Sequence, residues 1–127
     1  MNKTILCTIL IGLIVGVYSI SQNELDEQKI FYGSTESFSN PACIKYNTIV
    51  QNTEEYKKII EENIEQGTAR YWTYLSEASN SAIKIIIEYV RKTDYDLIVE
   101  VNYLNQLNKP IECMDITNDI IEYMNDD

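Results

Sequence analysis

The sequence predicts an α+β fold: a small antiparallel body of two or three strands carrying a protruding α-helical hairpin and a short C-terminal helix. Three observations predict it. Two segments, Ala42–Gln51 and Asp96–Val101, are rich in β-branched and aromatic residues. Between them, apolar residues recur at helical spacing, and no proline interrupts the chain from Pro41 to Pro110. After Asp115, the residues Ile116, Ile120, Ile121 and Met124 supply one apolar side of a last short helix, with Asp115 or Thr117 as its cap.

The elements follow in chain order. "MNKTILCTILIGLIVGVYSIS" has Lys3 as a basic start, an apolar run from about Thr4 to Val17, and small residues after it. This is the pattern of a secretory signal over residues 1–21, with Val17-Tyr18-Ser19 and Ser19-Ile20-Ser21 as the two candidate cleavage motifs. The run is shorter than the ~20 residues of a spanning helix, so an uncleaved anchor is the lesser alternative. Residues 22–41, polar apart from Ile30-Phe31-Tyr32, read as a flexible leader. Residues 42–127 then form the folded domain.

"NTEEYKKIIEENIEQ" opens a helix, capped by Asn52 or Thr53 and carrying Glu54 and Glu55 in its first turn. Tyr56, Ile59, Ile60 and Ile64 make its apolar stripe. Gly67 suits the left-handed residue that ends a helix, and Thr68 can cap the next one. That second helix runs from about Ala69 to Lys92, with Tyr71, Leu75, Ala78, Ala82, Ile86 and either Tyr89 or Val90 on one face. Residues 52–93 form the helical arm. Folded at Gly67, it returns the chain so that Asp96–Val101 pairs antiparallel with Cys43–Val50. One continuous helix would instead be about 60 Å long and would separate the strands. A single Gly costs only ~1 kcal/mol inside a helix, and the hairpin is preferred because it gives each strand a partner within the chain.

The chain has 10 basic and 20 acidic residues and no histidine, for a net charge of −10. Loss of residues 1–21 would remove a single charged side chain, Lys3. Such acidity opposes binding to nucleic-acid phosphates and to anionic membranes. The lack of histidine removes the usual near-neutral base and the commonest nitrogen ligand for metals. No base stands ready to activate a serine, and the acidic clusters lack a calcium-loop pattern. The sequence therefore predicts no catalytic residue, no cofactor and no metal. Cys43 and Cys113 are disulfide candidates in an exported chain. Their bridge would close a loop of about 70 residues, worth about 4 kcal/mol in the chain-entropy picture. Free or intermolecular thiols are the alternative.

"RYWTYLSEA" is the most distinctive local group. Tyr71, Trp72 and Tyr74 put large rings next to the expected arm tip. They are candidates for contact with a client or partner, although Tyr71 and Leu75 also suit the seam between the two arm helices.

Three stretches together resemble the Skp/OmpH family of periplasmic chaperones, as a short-armed, acidic member. They are "IKYNTIVQNTEEYKKI" (residues 44–59), "SAIKIIIEYVRKTDYDLIVEV" (81–101), and Asp115-Ile116-Thr117 with the apolar residues after it. The resemblance implies a body that trimerises and a helical arm that binds unfolded outer-membrane polypeptides in the periplasm, without ATP and without a chemical step. A different expectation is a structural or adaptor protein of the envelope, whose arm packs on one specific partner. Neither reading involves nucleic acid, and a membrane enters only through an uncleaved signal.

Overall fold

The computed structural model describes residues 17–126. Most of the expected signal segment therefore lies outside the described residues. Among the described residues the fold is α+β, with a mixed sheet of four strands and four α-helices. The strands are β1 (Ile30–Gly33), β2 (Pro41–Ile44), β3 (Leu97–Glu100) and β4 (Met114–Asp115), in the spatial order β1-β3-β2-β4. The helices are α1 (Tyr46–Gln51), α2 (Glu54–Glu61), α3 (Ala69–Val90) and α4 (Thr117–Asn125).

The two expected strands do pair, but in parallel: Pro41 stands beside Leu97 and Ile44 beside Glu100. The direction follows from the unequal arm. Helix α3 has 22 residues and α2 only 8. The returning helix passes the whole sheet before β3 begins, so β3 starts at the end where β2 started. A crossover of this kind is what parallel neighbours require. The segment expected as one strand, Ala42–Gln51, also divides. Only its first residues are extended, and Tyr46–Gln51 turns into α1, whose start is held by the Lys45 N–H donating to Thr117 Oγ1 at 2.8 Å.

Residues 22–41 are not a loose leader. β1 pairs antiparallel with β3, Ile30 standing opposite Val99 and Gly33 opposite Leu97. Gly33 has φ +96°, and a Cβ there would lie 2.0 Å from the Asp96 carbonyl oxygen. Only glycine allows β1 to approach β3 so closely. Farther on, the Asp96 carboxylate accepts from the Ser39 N–H at 2.7 Å and the Asn40 N–H at 2.8 Å, fixing the turn into β2. Tyr103 donates its hydroxyl hydrogen to the Glu24 carbonyl and accepts from the Asp26 N–H, tying the start of the segment down as well.

Alternation along the strands sends side chains to two different layers. Ala42, Ile44 and Ile98 meet Ala78, Ala82, Ile86 and Val90 of α3, with Ile49, Val50, Ile116 and Ile120 completing that core. Cys43, Leu97 and Val99 face the other way, into a second core with Ile20, Phe38, Tyr103, Leu104, Leu107 and Ile111. Helices cover one face of the sheet and irregular chain covers the other. The rear of α3 is thus part of the body, not of a protruding arm.

Candidate functional site

Trp72, a large side chain that the fold leaves exposed, stands in the first turn of α3. Thr68 caps it, its hydroxyl accepting from the Tyr71 N–H at 3.1 Å. Helix α2 ends before Gly67. Its last turn closes at Asn63, φ 51°, with the Ile64 N–H reaching the Ile59 carbonyl at 3.0 Å, a left-handed helix ending. Residues 62–68 therefore form a connection with Ile60 on one side and Trp72 on the other.

Of the adjacent pair in α2, Ile59 is buried and Ile60 is 63% exposed. This corrects the expected stripe: successive helical residues point about 100° apart, and the α3 face accepts only one of the two. Trp72 is 56% exposed. Its ring meets Tyr71 edge-on at 5.4 Å. Arg70 sits over the Tyr74 ring at 5.7 Å and forms an ion pair with Glu62. The hydrogen bond to Tyr74 and the Glu62 charge hold the guanidinium above its ordinary pKa. Of the three predicted contact residues, Trp72 points outward, while Tyr71 and Tyr74 are half-buried. Sequence reasoning placed Ile60 in the seam and so missed it as a surface residue. Two isoleucines in succession in an amphipathic helix were the available signal.

The cysteines occupy a different place. Cys43 is buried and Cys113 half-buried, and both carry free thiols. Burial raises both above the ordinary thiol value of 9.0, with the Asp115 charge adding to each. Neither is therefore poised as a nucleophile at neutral pH. Tyr89, near α4, is also raised, by burial first and the Asp119 charge second.

An open groove of about 580 Å³ runs between residues 17–21 and 107–111 on the loop-covered side, with Glu24 and Lys109 on its walls. Among the described residues, no group of three or more histidine, cysteine or carboxylate side chains is placed to hold a metal ion. No helix among them is long and apolar enough to cross a membrane. Every buried side-chain polar atom among them has a hydrogen-bond partner. Comparison with known protein families, with curated proteins and with solved structures finds no match.

Proposed function

We propose that this chain is a non-catalytic, exported polypeptide-binding protein that makes contact through the helical end formed by Ile60, Tyr71, Trp72 and Tyr74. The observation that carries the reading is the exposure of Trp72 beside a ring partner, with Arg70 pinned over Tyr74. Large exposed aromatics cost solubility, and they are the residues that dominate binding energy once desolvated. A rigid, capped helix end loses little conformational entropy on docking.

Of the two forms this binding could take, a single specific partner in the cell envelope is favoured. Ala78, Ala82, Ile86 and Val90 commit most of α3 to its own sheet, which leaves little free helix to enclose a client. Chaperone-like binding of unfolded outer-membrane polypeptides in the periplasm, by a trimer, is the second reading. It draws on the Skp/OmpH resemblance and on the exposure of Ile60 and Trp72. One pair of experiments separates the two. Light scattering across a concentration series reads the oligomer, and an aggregation assay with several unrelated unfolded proteins reads client breadth. A trimer that suppresses aggregation of all of them favours the chaperone. A protein inert in that assay that captures one envelope protein, and loses it on Trp72→Ala, favours the adaptor. If Trp72→Ala changes neither readout, the helical end is not the contact surface.

A further inference from the structure

The pairing of β2 with β4 brings the two thiols of the folded body together. In register, Ala42 stands beside Met114 and Cys43 beside Asp115, so Cys113 enters the sheet next to the strand that carries Cys43. Both side chains belong to the loop-covered core, Cys43 within it and Cys113 packed against it. The Cys43 thiol donates to the Cys113 carbonyl oxygen at 3.7 Å. Cys113 precedes Met114, so it lies diagonal to Cys43 and not opposite it, and the Cys43 sulfur already reaches its backbone; closing the bond requires a local shift of the chain just before β4.

We propose that Cys43 and Cys113 form a dithiol that closes to an intramolecular disulfide, latching β4 and the following helix to the sheet. The oxidant is a small-molecule disulfide such as glutathione disulfide. Cys113 is the more accessible thiol, and its thiolate attacks one sulfur of that disulfide. A mixed disulfide forms and the first glutathione leaves as thiolate. Cys43, buried at 5% exposure, then attacks the Cys113 sulfur, and the second glutathione departs with the bonding pair. The protein loses two electrons and two protons, and two glutathione thiols are produced. Because burial keeps both thiols protonated at neutral pH, exchange passes through brief openings of the Cys113 segment. Slow formation and proximity are the marks of a structural staple, not of a catalytic pair.

The latch would act where the sheet is thinnest. β4 has two residues. Beyond its short pairing with β2, the segment is held by the Ile116 N–H to the Cys43 carbonyl at 2.9 Å and by Thr117 accepting from Lys45. The bond would fasten that point covalently and close the long loop between the two cysteines. It is independent of what the helical end binds.

The test uses the full folded chain, reduced and then equilibrated in glutathione buffers of increasing oxidised fraction. Acid quenching, alkylation after denaturation and peptide mapping read out which sulfur is joined to which. The expected result is a dominant Cys43–Cys113 linked peptide, with both alkylation sites lost together. Cys43→Ala should collect one glutathione on Cys113, and Cys113→Ser should leave Cys43 unmodified. Oxidation should also slow amide exchange through Met114–Asn125. Two free thiols in the most oxidising buffer, a lasting glutathione adduct on Cys113 in the unaltered chain, or a bond to Cys7 would overturn the pairing. Unchanged amide exchange in the bonded form would overturn the latch. Should either variant fail to fold, the unaltered chain alone decides the outcome.

Discussion

The two ends of α3 both carry large apolar residues and have opposite fates. Toward its C-terminus, Ala78, Ala82, Ile86 and Val90 recur every fourth residue and are almost entirely removed from water. At its N-terminus, Tyr71 and Leu75 continue the same stripe half-buried, while Trp72, the largest side chain of the helix, lies outside it. Amphipathic spacing explains the first end completely. The second end keeps an aromatic that packing would have hidden, and nothing in the core needs it there. Burial at one end fixes the fold, and exposure at the other leaves a surface for contact.

This contrast can be broken most forcefully from the buried side. Ile86→Ala should cost about 2–5 kcal/mol of unfolding free energy, read by urea titration, because Ile86 is fully buried in the core shared by sheet and helices, where neighbours cannot all collapse into the void. Gly33→Ala should cost about 1–3 kcal/mol from its left-handed backbone alone. It should also release β1, seen as faster amide exchange at Ile30–Gly33, since the new methyl would meet the Asp96 carbonyl. Asp96→Ala strips the acceptor from two backbone N–H groups at a partly exposed turn and should cost about 1 kcal/mol in the same titration. Trp72→Ala, at the other extreme, should shift stability by no more than about 0.5 kcal/mol, while abolishing capture of the partner. A large loss of stability from Trp72→Ala would mean that the exposed end also serves the fold, and the contrast would fail.

The long helix was legible because its evidence is local. Four residues at constant spacing, a threonine cap and the absence of proline are all contained in the segment itself. The pairing of the second and third strands was legible for another reason: an isolated strand needs a partner, and few candidates exist. Their relative direction was not, because it depends on how far α3 travels over a sheet whose extent the sequence does not state. β1 was missed although Ile30-Phe31-Tyr32-Gly33 has strand-forming residues and a terminal glycine. Its acidic, serine-rich surroundings resemble a linker, and only the close approach to Asp96 shows what the glycine is for. Phe38 is a lone aromatic whose burial no periodicity could announce. At the candidate site, Trp72 was found from its residue type. Ile60 was not, because choosing between two adjacent isoleucines requires knowing where α3 lies.

The position of β3 carries a consequence for the life of the chain before it is folded. β1 and β2 do not pair with one another, since each reaches the sheet through β3, and β4 joins through β2. Until residues 97–100 are available, no two of the four described strands can hydrogen-bond together. The first strands must wait, unpaired, for a segment made much later, and such non-local pairing is slow to nucleate. A nascent chain built in this order stays open for most of its synthesis. The helices between β2 and β3 can form from local contacts while it grows, but the sheet closes only after β3 has been made.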